Sequence, residues 1–138
     1  MYNNKEQIFC EWRRKWVRLT PEEWVRQQLL HRLVEQLEYP MSLIAVEVPF
    51  MMANGKSYRA DAVVYDKLMQ ALVLIECKAE TVPLTQKTLD QAINYNRLLA
   101  VPYLVLHNGM QTITINCSSG NNTYLTGLPR YSDLLRSE

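Results

Sequence analysis

The sequence predicts an α/β domain built on a mixed sheet, and three observations carry that prediction. A helix signature is followed by three strand-like runs joined by short turns. The third run leads into a helical period and then another apolar run, and a second Asn-Gly pair turns that run into an alternating one. Short turns join antiparallel neighbours, whereas strand, helix, strand in that order requires a right-handed crossover with parallel pairing.

Residues 1 to 18 lack clear periodicity but carry Trp12 and Trp16 among Arg13, Arg14, Lys15 and Arg18. Such a mixture can grip a phosphate backbone, yet an arm that packs its tryptophans on the domain is the favoured reading. Thr20-Pro-Glu-Glu23 opens the first helix, with Thr20 as N-cap, Pro21 in the first turn and Glu23 at the capping-box position. The helix should run to about Glu38, before Pro40. Leu30, Leu33, Val34 and Leu37 mark its apolar face, and the helical period brings Glu23 and Arg26 near the middle of that face.

The first strand spans about 42 to 50, and Asn54-Gly55 turns the chain into a second strand, Ser57 to Tyr65, where Arg59, Asp61 and Val63 share a face. Another turn at Asp66 to Gln70 leads into Ala71-Leu-Val-Leu-Ile-Glu-Cys-Lys-Ala79. Leu84 to Leu99 reads as a helix with Leu89, Ala92, Ile93 and Leu99 inward, and with Gln91 and Tyr95 stacked on one flank. Val101 to His107 is a further apolar strand, and Asn108-Gly109 turns it into Gln111 to Asn116. Ser118 to Asn122 is a polar loop, and Leu125, Leu128, Tyr131, Leu134 and Leu135 fit a short closing helix or arm. The 138 residues suit one domain, 1–138, with a core at about 20–116, an N-terminal arm 1–19 and a closing segment 117–138.

Hydrophobic residues at 48% and charged residues at 21% fit a globular chain, and a net charge of +1 gives no bulk attraction to a polyanion. Any such site must be local. Cys10, Cys77 and Cys117 lack metal or redox spacing and suit a reducing compartment. No apolar stretch approaches the ~18 residues of a membrane span. The expected setting is therefore cytoplasmic, without a membrane partner.

The anomaly is the charged end of an apolar strand. Glu76 and Lys78 fall on the same face by strand alternation, with Leu72 and Leu74, while Val73, Ile75 and Cys77 fall on the other. Burying either charge alone costs several kcal/mol or neutralises it, so the pair must reach solvent, offset itself, or hold something. Asp61 on the neighbouring strand adds a second carboxylate. Two carboxylates supply the hard oxygens that Mg²⁺ or Mn²⁺ needs, with water and a substrate phosphate completing the shell. Lys78 could orient an attacking water or stabilise developing charge. His31 and His107 read as structural, and no serine or cysteine has a partner histidine at recognisable spacing. For Glu23 a capping box and a role in the site stand equal.

Asp61, then Glu76-Cys-Lys78 after a turn, then Gln91 and Tyr95 on the next helix resembles the PD-(D/E)xK nuclease superfamily in its branch with a Q-x-x-x-Y motif. The run from about Thr20 to Asn116 is similar to the N-terminal nuclease domain of type I restriction enzyme R subunits, through Arg-Ala-Asp-Ala-Val-Val-Tyr65, Leu-Ile-Glu-Cys-Lys-Ala79 and Val-Pro-Tyr-Leu-Val-Leu-His-Asn-Gly109. The resemblance implies a three-layer α/β/α restriction-endonuclease-like core with a mixed central sheet. It also implies metal-dependent cleavage of DNA phosphodiesters, with Mg²⁺ or Mn²⁺ held by Asp61, Glu76 and the Cys77 backbone carbonyl, and Lys78 as the catalytic lysine. The first-helix acid of many members would fall on Glu23, with Glu22 as second choice, and Gln91 and Tyr95 match a motif thought to contact DNA or organise the site. Ala60 stands where the motif has proline, which leaves the acid intact. The expected partners are DNA and a separate protein such as a motor or specificity subunit. The alternative is a non-catalytic nucleic-acid-binding or assembly module on the same fold.

Overall fold

The computed structural model of the chain describes residues 6–135. A six-stranded mixed sheet forms the middle layer, in the order β3 (Ile44–Met51), β4 (Ser57–Tyr65), β5 (Ala71–Cys77), β6 (Tyr103–His107), β7 (Thr112–Asn116) and β8 (Thr123–Leu125). β5 and β6 pair in parallel across the helix α2 (Gln86–Leu99), and every other pair in this sheet is antiparallel. The meander and the crossover are thus as the sequence pattern requires. β8 was not foreseen, because three residues after a polar loop carry no readable period.

The N-terminal stretch is a hairpin of β1 (Gln7–Cys10) and β2 (Lys15–Arg18). Trp12 in its turn packs on the core and meets His31 edge-on, whereas Trp16 stays exposed against Phe9. Only one of the two tryptophans docks on the domain. Residues 1–5 of the arm and 136–138 of the closing segment lie outside the described residues.

The helix α1 (Pro21–Leu37) starts as its signature dictates, with the Thr20 hydroxyl accepting the Glu23 backbone N–H at 3.0 Å. It ends where Glu38 turns left-handed and the Tyr39 N–H closes on the Leu33 carbonyl at 3.0 Å. Val25, Leu29, Leu30 and Leu33 pack on Val64, Val73, Ile75, Cys77 and Val105, joined by Tyr131 and Leu134 of the closing helix α3 (Tyr131–Leu135). Across the sheet, Leu89 and Ala92 of α2 pack with Val63, Leu74, Leu104, Leu106 and Ile115. Each fully buried Leu or Ile contributes roughly 1.5–3 kcal/mol. The result is three layers, α/β/α. The buried face of α1 is centred earlier than expected, on Val25 and Leu29, and Val34 and Leu37 are only partly buried.

Two departures from strand alternation shape the functional region. Register between β4 and β5 shifts at Val64 and Tyr65, so that Val64 faces Val73 while Tyr65 faces Ala71. Leu72, the extra residue, joins the α1-side cluster beside Val73 instead of lying with Leu74 and Glu76. The second departure is at Asp61. Ala60 and Val63 both pack on the α2 side, so the chain takes two steps between them where regular alternation takes one, and Arg59 and Asp61 border the α1 side instead of sharing a face with Val63. Opposite Asp61, Glu47 of β3 has a positive φ of 52° and falls out of the ladder between the pairs Val46–Ala62 and Val48–Ala60.

Candidate functional site

Pairing between β4 and β5 runs only as far as Ala62 opposite Ile75, although β5 continues to Cys77 beside β6. Beyond that pair a side chain replaces the ladder: the Asp61 carboxylate accepts the Cys77 backbone N–H at 2.7 Å. Buried backbone donors require a partner, and here the diverging strand supplies one from an acid. The divergence brings Asp61 next to the charged end of β5. The Lys78 ammonium acts on both carboxylates, opposing the rise in pKa that burial imposes on Asp61 and Glu76, and the Lys78 backbone N–H anchors on the His107 carbonyl at 2.9 Å.

Glu76 and Lys78 line a cleft of about 550 Å³ with Tyr58, Gln91 and Tyr95, so the flank of α2 predicted to border the two charges does border them. Tyr58 donates its hydroxyl hydrogen bond to Glu76 Oε1 and stacks on Tyr95, with ring centroids 4.4 Å apart. Burial pushes the Glu76 carboxyl up to about 7, with Lys78 and the Asp61 backbone N–H opposing the rise. Burial also raises Asp61, against the Cys77 N–H, Arg26 and Lys78. The solvated-pair reading of Glu76 and Lys78 is therefore incomplete, since the glutamate sits where its charge is disfavoured.

Asp61 borders a second, adjoining pocket on the α1 side, together with Glu23, Arg26, Glu47 and Cys77. Glu23 is buried and its carboxylate accepts from Arg13, from Arg26 and from Gln27, the last at 2.9 Å. Arg26 extends the network by donating to the Asp61 backbone carbonyl at 3.2 Å and by lying 4.0 Å from Asp61 Oδ1. Glu47 bridges Arg13 at 2.9 Å, Arg26 at 3.3 Å and Arg59 at 3.6 Å. Glu23 thus reaches the site through Arg26. Of the expected residues, Glu76, Lys78, Gln91 and Tyr95 meet in one cleft, Asp61 touches their strand from the side, and Glu23 stands one arginine further away. Glu22 lines the same pocket as Asp61. His107 is structural, its Nδ1 bonded to the Thr112 hydroxyl at 2.7 Å.

Sequence reasoning passed over Tyr58 and Glu47, and it read Arg13 only as part of a basic arm and not as a partner of Glu23. Glu47 carried a usable signal, being a lone acid in an apolar strand in the same way as Glu76. Tyr58 carried none, because an aromatic residue at a strand start is ordinary packing.

Residues 21–129 match the family described as the type I restriction enzyme R protein N terminus. The chain belongs to that family. Its fold is similar to a fragment from Vibrio vulnificus YJ016 described provisionally as an HsdR subunit of a type I restriction enzyme, with a TM-score of 0.61 and 16% identity over 86% of this chain and 25% of that one. It is also similar to a chain of the DrdV–DNA complex, with a TM-score of 0.50 and 19% identity over 85% of this chain and 12% of that one. At these identities the likeness is one of fold, and the chain spans a quarter or less of either neighbour's length. No curated protein matches the sequence significantly. The matched residues include α1, all six strands of the mixed sheet and α2. Among the described residues no helix of this R-subunit N-terminal domain is long and apolar enough to cross a membrane.

Proposed function

We propose that this domain is a divalent-metal-dependent nuclease acting on DNA phosphodiesters. The observation that carries the reading is the Asp61 carboxylate on the Cys77 N–H, which brings a second acid to the strand end that bears Glu76 and Lys78. Among the described residues no three His, Cys, Asp or Glu side chains converge as a closed metal cage. The donor set is instead two carboxylates, which suits Mg²⁺ or Mn²⁺, since such ions are commonly held by one or two carboxylates and leave room for water and phosphate. Asp61 and Glu76 would hold the ion, with the Cys77 carbonyl as third donor. When bound, the metal would neutralise the two acids, polarise a phosphoryl oxygen and lower the pKa of a water.

The chain's own residues supply the rest. Lys78 puts a cation beside both acids, suited to a developing negative charge on the phosphate. Gln91 offers an amide at the rim of the cleft, and Lys56 adds a second cation there. These local charges offset the near-neutral balance of the whole chain. The experiment is cleavage of plasmid and single-stranded DNA with Mg²⁺, Mn²⁺ or EDTA, by the wild type and by Lys78→Ala. Metal-dependent cutting that Lys78→Ala loses supports the reading, and salt-sensitive DNA binding without cutting would support the alternative of a non-catalytic binding or assembly module. That alternative draws on one observation: Arg26 already stands 4.0 Å from Asp61, so the acid has a partner without a metal. A motor or specificity subunit as separate partner belongs to the same proposal and draws on the family match.

A further inference from the structure

We propose that Tyr58 is a positioning residue for the Glu76 carboxylate and that Tyr95 acts through Tyr58, as the wall that holds its ring. The inference rests on the reading of Glu76 as a metal ligand. A glutamate side chain has three torsions to order, and at Glu76 the ladder borders it on one side only: β6 pairs it with Leu106, whereas β4 has already diverged. Tyr58 supplies the confinement. Its hydroxyl donates to Glu76 Oε1, and the Asp61 backbone N–H also bonds this carboxylate.

The donor is itself held by two neighbours. Tyr58 pairs with Phe50 across β3 and β4, which fixes its backbone, and the Phe50 ring lies against it with centroids 6.5 Å apart. Tyr95 covers the ring with a stack at 4.4 Å and 25° between planes. Offset aromatic contacts of this kind are worth about 0.5–1.5 kcal/mol beyond their buried area. The pair therefore links β4, β5 and α2 at one carboxylate. It also assigns the tyrosine of the Gln-x-x-x-Tyr segment a task that needs its ring and not its hydroxyl.

The test uses Mn²⁺ binding followed by electron paramagnetic resonance, alongside plasmid cleavage titrated with Mn²⁺. Tyr58→Phe keeps the stack and removes the donor; it should weaken Mn²⁺ binding about tenfold and raise the half-saturating Mn²⁺ for cleavage equally, with the maximal rate within a few-fold of wild type. Tyr95→Phe should keep wild-type Mn²⁺ affinity, and Tyr95→Ala should weaken it as Tyr58→Phe does. Thermal melts check that each variant is folded. Wild-type Mn²⁺ affinity in Tyr58→Phe overturns the proposal, as does a Tyr95→Phe variant as impaired as Tyr95→Ala. A wild-type protein that neither binds Mn²⁺ nor cleaves overturns the metal reading and this inference together, whereas binding that is indifferent to Tyr58 overturns this inference alone.

Discussion

The Asp61 carboxylate holds the Cys77 backbone N–H at 2.7 Å, one residue beyond the last paired position of β4 and two beyond that of β5. An acid in that place has two tasks. It satisfies a donor that the diverging strand has abandoned, and it puts its other oxygen 4.0 Å from Arg26 at the edge of the site. Relief of repulsion between Asp61 and Glu76 would by itself make removal of the acid neutral or stabilising without metal. The Cys77 bond reverses that expectation for one substitution and not for another.

Asp61→Asn keeps an acceptor oxygen and should melt close to wild type. Asp61→Ala leaves the Cys77 N–H without its acceptor and should lose about 1–3 kcal/mol. Both should lose at least ~100-fold in metal-dependent cleavage, because neither offers an anionic ligand. Urea denaturation in EDTA, beside a cleavage assay, checks the two effects separately. Equal stability of the two variants would remove the structural role from Asp61.

Glu76 predicts a pH dependence of the metal-free protein. Burial raises its carboxyl to about 7 from an ordinary value of 4.5, against Lys78 and the Asp61 N–H. Between those values the folded state binds the proton more tightly than the unfolded chain. Stability from this group is therefore complete below about 4.5 and lost as pH rises through about 7. The loss should be on the order of 2–3 kcal/mol and largely absent in Glu76→Gln. Denaturation in EDTA at pH 5 and pH 8 measures it. Mn²⁺ should stabilise the wild type more at pH 8 than at pH 5, because metal and proton compete for the same carboxylate.

Much of this was legible in the sequence, for identifiable reasons. Pro21 and Thr20 set the start of α1, and the apolar runs set β4, β5 and β6 because buried strands leave few alternatives. Charges at the end of such a run stood out for the same reason, whereas Gln91 and Tyr95 share a flank by helical spacing and were assigned to the site by the motif they resemble. Partners across space were not legible. Arg13 reaches Glu23 from a hairpin whose period was unreadable, and the irregular step at Asp61 depends on Glu47 in another strand. Bulges leave no mark in a single chain's alternation. The Leu72 assignment failed on such a bulge, since strict alternation assumes that every residue has a partner.

Glu23 offers the sharpest contrast between local and tertiary roles. If it only completed a capping box, its charge would matter little, and Glu23→Gln would cost well under 1 kcal/mol. In the structure burial would raise its pKa, but the hydrogen bonds from Arg13, Gln27 and Arg26 outweigh burial and the value is lowered. A lowered acid stabilises the fold above its unfolded pKa, and that stability is lost as pH falls through the lower folded value. Glu23→Gln also leaves Arg26, buried and with its Nε already lacking a bond, short of its nearest carboxylate. The expected cost at pH 7 is about 3–5 kcal/mol, the usual consequence of breaking one side of a buried ion pair. It should shrink as the wild type protonates in acid. Because Arg26 also holds the Asp61 carbonyl, the variant should lose cleavage as well as stability. Pairing Glu23→Gln with Arg26→Met should recover part of the stability and none of the cleavage, since the guanidinium left short of its carboxylate is gone but methionine cannot donate to Asp61. Denaturation curves at pH 7 and pH 4 for the three variants decide the matter, and a Glu23→Gln protein as stable as wild type at pH 7 would return Glu23 to the role of a cap.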